Sequence, residues 1–380
     1  MKLFGSTSRL KDGAHAASRT FARWFPTPTM IFPRAAGIDI SDASIKWLLL
    51  APYQSRYRIE KYGEISLEAG TVVNGIIKDV GALATALTET KKHLGGIECA
   101  HAALPEEAAY VFEMHVPEGT DHNQTISMIE FGFEGRVPIA PAAAVFDFDI
   151  IQKHDGGVGE DIGVAVFSRE LAESYVAAFK AAGIQLLSLE IEARSIARAI
   201  SSGAPDEPIT LLVDFGRART GFAVLKRGIP IFTSTVEVGG DMITHAIMEK
   251  LSLSPEEAQT FKNEQGLLAD AGPKSSGVEA IAGSASALAD EVTRHYHYWD
   301  TRRNEKGERM TPVGRVVLVG GSANLNGLSD YIAGRVQAPT TVANIWQYVC
   351  NFDEYIPPLD RRESLQYATA AGLALRSLSV

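Results

Sequence analysis

Two stretches of this chain repeat one pattern. Residues 37–46 read Gly-Ile-Asp-Ile-Ser-Asp-Ala-Ser-Ile-Lys, and residues 211–225 read Leu-Leu-Val-Asp-Phe-Gly-Arg-Ala-Arg-Thr-Gly-Phe-Ala-Val-Leu. Each predicts a strand, a tight turn built from small and polar residues, and a second strand. Asp39 and Asp214 hold the same place, at the end of the first strand. Each unit is followed by a further strand, 57–67 and 229–236, and then by helix. A repeat of this kind points to a duplicated α/β unit. One copy alone would mean only an Asp closing a turn.

The rest of the chain is punctuated consistently with that reading. Helices are predicted over 79–94, 193–200, 241–251 and 278–300, with a closing helix over 362–378. Ser254-Pro-Glu-Glu257 is a capping box with Pro at the first helical position, so a helix starts there. Residues 266–277 and the charged run 302–309 read as loops. Strands are predicted over 99–104 and 186–192, and a buried one from Arg315 runs into Gly320-Gly321. Between the two repeats, 105–183 has its own rhythm. It reads as strands 110–116, 144–151 and 162–167, with helices over 123–137 and 170–182, the second stopped by Gly183. This is a compact α+β insert.

The repeated turns suggest chemistry. A nucleoside triphosphate brings several negative charges and a metal ion. Its site needs glycines where backbone must approach oxygens, and carboxylates to orient the metal and its waters. The first hairpin offers Asp39, Ser41, Ser44 and Lys46; the second offers Asp214, Gly216, Arg219 and Thr220. Facing Asp39 and Asp214 would hold hydrated Mg²⁺. Gly239-Gly240-Asp241 and Gly320-Gly321-Ser322 each follow a strand, where a sugar, base or phosphate can lie against the backbone. Either glycine pair alone says little. The order of two Asp hairpins, Gly-Gly-Asp and Gly-Gly-Ser is far more specific.

In that order the chain resembles the actin-like ATPase superfamily, and within it the family of the type IV pilus assembly protein PilM, relatives of the cell-division protein FtsA. The resemblance covers about 35–376. It is carried by 37–46, Ala103-Leu-Pro-Glu-Glu107, Glu190-Ile-Glu-Ala193, Val213-Asp-Phe-Gly216, Val238-Gly-Gly-Asp241, Ser254-Pro-Glu-Glu-Ala258 with Lys262, and Leu318-Val-Gly-Gly-Ser322. It implies a duplicated ribonuclease H-like α/β fold of two lobes that binds ATP and Mg. Residues 39–46 and 214–220 would be the phosphate loops. Glu192 would be the carboxylate near the attacking water, Lys262 would line the nucleoside pocket, and 320–322 would form the adenosine loop. The implied subdomains are 1A over 35–107 and 185–208, with the insert 1C over 108–184. The second lobe would span 209–345, with its own insert at about 246–312, and 346–380 would return to 1A.

The implied role is a cytoplasmic scaffold of the type IV pilus, or related type II secretion-like, assembly machinery, with slow or no ATP hydrolysis. It would recruit the N-terminal cytoplasmic tail of a PilN-like protein, which would hold it at the inner membrane. The resemblance leaves room for contacts with pilus motor ATPases and for self-association. An FtsA-like division protein and a sugar or acid kinase of the same superfold are the alternatives. A kinase needs a substrate-deprotonating Asp, for which only Asp147, Asp149 and Asp155 in the insert offer themselves. The chain also departs from the family pattern. Ser41 stands where many relatives have Gly, and Arg217 and Arg219 make the second turn unusually basic. The end at 376–380 does not read as the amphipathic membrane helix that FtsA carries.

Charge and composition exclude other classes. The 380 residues carry a net charge of −10, which argues against a general nucleic-acid binder. No apolar run approaches the roughly 20 residues needed to span a bilayer. Cys99 and Cys350 match no metal or redox spacing and read as reduced. Residues 1–34 set Lys2, Arg9, Lys11, Arg19, Arg23 and Arg34 against Asp12 alone. They read as a tail ahead of the fold, or as a short basic amphipathic helix over 14–25 that touches a membrane or partner. They have no continuous apolar stretch of the signal-peptide kind. His295 and His297 lie two apart on a helix and point to different sides, which argues against a metal site. His93, His101 and His115 have no partner visible in sequence.

Overall fold

The computed structural model describes residues 33–267, 275–303 and 311–378. The predicted N-terminal helix lies outside these residues, as does most of the 266–277 loop and of the charged run.

The chain opens with β1 (Ala35–Ile40), β2 (Ser44–Tyr53) and β3 (Arg56–Ser66), a short pair β4 (Val72–Val73) and β5 (Ile76–Ile77), helix α1 (Val80–Leu94) and β6 (Cys99–Leu104). The insert follows, with β7 (Tyr110–Val116), α2 (His122–Phe131), β8 (Ala144–His154), β9 (Gly159–Ser168) and α3 (Arg169–Ala181). Strand β10 (Gln185–Ile191) and α4 (Glu192–Ile200) return to the first unit. The second unit is β11 (Thr210–Phe215), β12 (Thr220–Lys226), β13 (Ile229–Val236), α5 (Gly240–Leu251), α6 (Pro255–Gln265), α7 (Ser275–Thr301), β14 (Arg315–Val319), α8 (Leu328–Val336) and β15 (Thr340–Val342). Helices α9 (Arg361–Ser364) and α10 (Ala368–Arg376) close the chain.

The duplication is visible in the strand order. The first sheet runs β3-β2-β1-β6-β10 and the second β13-β12-β11-β14-β15. In both, three antiparallel strands from a meander are followed by two parallel ones. Parallel pairing needs helical crossovers, which cover both sheet faces and force near-continuous apolar strands. Strand β2 shows the consequence. Trp47 and Leu49 enter the core with α1 and α3, while the alternate residues Leu48 and Leu50 enter the core with α4 and α10. The insert has a separate small core of Phe112, Ile129, Phe133, Ile162, Val164 and Val166.

Some elements differ from the sequence reading. The helix predicted over 123–137 stops at Phe131, with Gly132 at its C-cap; Phe133 and Val137 reach the core from the turns that follow. The closing helix is broken by a 3₁₀ turn over Leu365–Tyr367, which buries Leu365 and Tyr367. The insert sheet runs β7-β9-β8, so the strand predicted at 162–167 is central and offers no free edge. Its hairpin is also longer than predicted.

Candidate functional site

The two hairpins are built on one register. Asp39 lies directly opposite Lys46 on β1 and β2, and Asp214 opposite Gly221 on β11 and β12. In the first turn the Ser41 N–H donates to the Ser44 carbonyl at 2.9 Å. The Ser41 hydroxyl donates to that carbonyl at 3.0 Å and accepts the Ser44 N–H at 3.1 Å. The Ser41 hydroxyl is thus engaged within the turn. Lys46 donates to Ser44 Oγ at 2.9 Å and pairs with Glu64 at 2.9 Å.

The second turn organises both glycine pairs. The Gly216 carbonyl accepts from the Gly240 N–H and from Ser322 Oγ, each at 3.0 Å. Gly240 starts α5 between Ser322 and Lys262, where a Cβ would collide with the serine hydroxyl. Lys262 is buried and donates to the Gly240 carbonyl at 3.0 Å; burial holds its ammonium below the usual lysine range. Gly320 takes a φ of +87°, and a side chain there would run into the Asp214 carboxylate.

These elements enclose a cleft of about 960 Å³ between the two sheets. Asp39, Ser41, Ser44, Lys46, Glu192, Asp214, Gly216, Arg219, Gly240, Lys262, Gly320, Gly321 and Ser322 all line it. Thr220 and Gly239 do not. Thr220 is fully buried and its hydroxyl donates to the Val238 carbonyl at 2.5 Å. Gly239 sits behind the second turn, where a Cβ would strike the backbone of Arg217 and Ala218. Both support the turn from behind. Asp147, Asp149 and Asp155 are absent from the cleft lining, and Asp149 is paired with Arg194 at 2.7 Å.

Sequence reasoning assigned no role to Asp42, Glu64, Glu106 or Glu107, which also line the cleft. The signal for Glu106 and Glu107 was present, since both fall in the family-like stretch 103–107. Glu106 is 6% exposed and its Oε1 has no hydrogen-bond partner.

The carboxylates crowd one another, and burial strips them of part of their hydration. Burial pushes Asp39 up to about 6, against the pull of Lys46. Burial and the Asp39 charge push Asp214 up to about 7. Burial and Asp214 raise Glu106 to about 8. Glu192, buried beside Asp39, Glu106 and Asp214, is held well above the ordinary range. Four shifts in one direction mark a place short of positive charge. Hard oxygen donors with that deficit fit a magnesium-sized cation. The glycines that leave room along the far wall fit a nucleoside.

The fold and the cleft define the class: a two-lobed protein with the actin-like ATPase fold. A solved PilM–PilN type IV pilus biogenesis complex is similar in structure, with a TM-score of 0.75 and 19% identity, covering 91% of this chain and 99% of that one. Ethanolamine utilization protein EutJ from Carboxydothermus hydrogenoformans is similar with a TM-score of 0.52 and 17% identity, covering 90% of this chain and 89% of that one. The family model for type IV pilus assembly protein PilM matches residues 37–378, and the chain belongs to that family. This places it in pilus assembly, away from the division-protein and kinase readings. No helix among the described residues is long and apolar enough to cross a membrane.

Proposed function

We propose that this chain is an ATP–Mg-binding scaffold of type IV pilus assembly that captures the cytoplasmic N-terminal tail of a PilN-like inner-membrane protein. The observation that carries nucleotide binding is the convergence of Asp39, Glu106, Glu192 and Asp214 on the lining of one cleft between the duplicated hairpins, where all four are raised above the ordinary carboxyl range. Asp39 and Asp214 would hold the hydrated metal. Lys46, Arg217 and Arg219 bring positive charge to the phosphate end, and Gly240 and Gly320 keep the wall open to the nucleoside. Bound Mg²⁺ would offset the carboxylate charge and neutralise phosphate oxygens. Without it the acidic cleft repels a triphosphate, so binding depends on the metal.

Turnover is slow in this reading. Glu192 is the candidate for orienting water, and burial together with the charges of Asp39, Glu106 and Asp214 raises its pKa, which disfavours the ionised form that would act as a base. Nucleotide then acts as a structural ligand that stabilises the closed lobes by mass action. A phosphate-release rate near the enzyme median of roughly 10 per second would overturn this.

Partner capture is supported by the likeness to a protein solved together with PilN and by the insert's own edge. Strand β8 pairs only with β9 within its sheet, so its outer side is open to an added strand. Ile150 on β8 is 44% exposed and Phe131 on α2 is 80% exposed, ready to be covered by a partner. In this reading 108–184 is the capture module, the chain is cytoplasmic, and the partner places it at the inner membrane. The test is a pull-down with the cytoplasmic tail of the neighbouring bitopic pilus protein, comparing the chain with its Ile150→Asp and Phe131→Ala variants. Both substitutions are at exposed positions. Equal capture by all three would place the tail elsewhere.

A further inference from the structure

The outer end of the insert gathers donors that the cleft does not use. His115 on β7 lies directly opposite Asp161 on β9. Across the other side of β9, Asp161 faces Gln152 of β8, after a bulge at Ile151. His154, two residues beyond Gln152, therefore shares the face of Asp161. The result is three potential metal-ligand atoms within 4.8 Å of one another. His115 Nδ1 is 3.0 Å from Asp161 Oδ1, and His154 Nε2 is 3.0 Å from Asp161 Oδ2.

The tautomer of His115 sharpens this. Its Nε2 lies 2.9 Å from the Val158 carbonyl, which can only accept, so Nε2 carries a proton. In the neutral ring Nδ1 is then a lone pair, and it points at a carboxylate oxygen. Two acceptors at that distance need a positive centre between them: a second proton or a metal ion. The carbonyl bond on the far nitrogen is the arrangement that orients ligating histidines. Asp161 turns one carboxylate oxygen toward each ring. A tetrahedral ion with bonds of about 2.0–2.1 Å sets its ligands about 3.3 Å apart; here each ring nitrogen stands 3.0 Å from a different Asp161 oxygen, and one ligand atom from each residue fits within 4.8 Å. His115 and His154 both keep a solvent-facing side, which leaves a fourth position for water.

We propose that His115, His154 and Asp161 bind one divalent transition-metal ion of the zinc class. The ion ties all three strands of the insert sheet together at its outer end. The face that carries it is the one turned to the second lobe. Gly163, two residues along from Asp161, packs on Ile229 and Pro230 with no room for a side chain. Lys226 of β12 pairs with Glu113 at 2.5 Å and approaches Asp161 to 3.5 Å. Glu113 Oε2 is buried there without a partner. The ion therefore sits at the seam between the insert and the second lobe, and its binding stiffens the insert relative to the cleft.

The test uses the full-length chain, stripped with chelator and titrated with Zn²⁺ by calorimetry. One ion per chain should bind, be lost in His115→Gln and in His154→Gln, and persist in Asp39→Asn, which separates this site from the acidic cleft. Zn²⁺ should also raise the melting temperature of wild type and of Asp39→Asn but not of the histidine variants. On the unaltered chain, Zn²⁺ should shield His115 and His154 from carbethoxylation read by mass spectrometry, which does not depend on any variant folding. No bound ion in wild type, equal binding by the histidine variants, or unchanged modification of the two histidines would each overturn the proposal.

Discussion

Arg219, in the turn of the second hairpin, forms an ion pair with Asp42 in the turn of the first. The same guanidinium also reaches Glu107, in the 3₁₀ turn Glu106–Ala108 that follows β6, and Asn74. One side chain thus ties the two hairpin turns together across the cleft, and it is among the few cations near a surplus of carboxylates. A bound polyphosphate would compete with Asp42 and Glu107 for it. Arg219→Ala is expected to weaken ATP–Mg affinity by about 1–2 kcal/mol, toward the low end for a charge-assisted bond because the pair is partly solvated. It should also raise hydrogen exchange over 39–46 and 214–221 in the nucleotide-free protein. Calorimetry and exchange mass spectrometry measure the two effects, and unchanged exchange would show that the tie does not hold the turns.

Asp39 and Asp214 are expected to act through the metal. Asp214→Ala and Asp39→Ala should each weaken nucleotide binding by about 1–3 kcal/mol when Mg²⁺ is present. With the metal chelated, the same variants should bind nucleotide no worse than wild type, since each has lost a repelling carboxylate. Titrations with and without chelator give the comparison. Equal losses in both conditions would mean direct contacts and no metal.

The raised carboxyl groups also predict a pH dependence of stability. Each is protonated more readily in the fold than in the unfolded chain. Its stabilising contribution is therefore complete below the ordinary carboxyl pKa and is lost as pH rises through the folded value. Asp39, Asp214 and Glu106 set that window from about pH 4 to 8, with folded values of about 6, 7 and 8. The metal-free protein should melt at lower temperature at pH 8 than at pH 5, and Mg²⁺ should restore most of the difference. Glu106→Gln should flatten the upper part of the curve, because the amide cannot ionise. A melting temperature independent of pH and Mg²⁺ would contradict the charge deficit.

What the sequence disclosed follows the range of the forces involved. The hairpins, the capping box at Ser254 and the strands of both sheets are local patterns, set by period and turn chemistry within a few residues. The equal register of Asp39 with Lys46 and Asp214 with Gly221 was legible as a repeat. Long-range placement was not. Glu106 reaches the cleft because β6 runs parallel to β1, and its importance comes from the lack of a partner, which no window of sequence displays. The His115 cluster depends on a three-strand register with a bulge at Ile151. His101, equally silent in sequence, is spanned by Ser188 at 2.7 Å and Ser377 at 2.6 Å, and burial lowers it to about 4. Thr220 and Gly239 have suitable type and position in sequence, and only the fold shows that the hydroxyl of one bonds the Val238 carbonyl and the other lies against the Arg217 and Ala218 backbone.

The way the chain closes on itself gives a last expectation. Glu190, at the end of β10, is 8% exposed and accepts from Arg198 of α4 at 2.6 and 2.8 Å and from Ser195 at 2.8 Å. Arg376 of α10 bonds the same carboxylate, and Arg198 donates to the Gly372 carbonyl of α10 at 2.8 Å. Gly372 lies against the Ser195 backbone with no space for a side chain, so α4 and α10 cross at close range. Burial alone would raise Glu190, but the two guanidinium groups hold it below the ordinary range. Its contribution is therefore present at neutral pH and is lost as pH falls through that lowered value. Glu190→Ala leaves two cations around a buried void and should cost about 3–5 kcal/mol. Glu190→Gln keeps the shape and the bond from Ser195 and should cost less. Because Glu192 begins α4 two residues further on, loosening this crossing should also weaken ATP–Mg binding, although Glu190 is not part of the cleft lining. Chemical denaturation and calorimetry on both variants test the two effects. A Glu190→Ala protein as stable as wild type would show that the crossing of α4 and α10 is held by apolar packing alone.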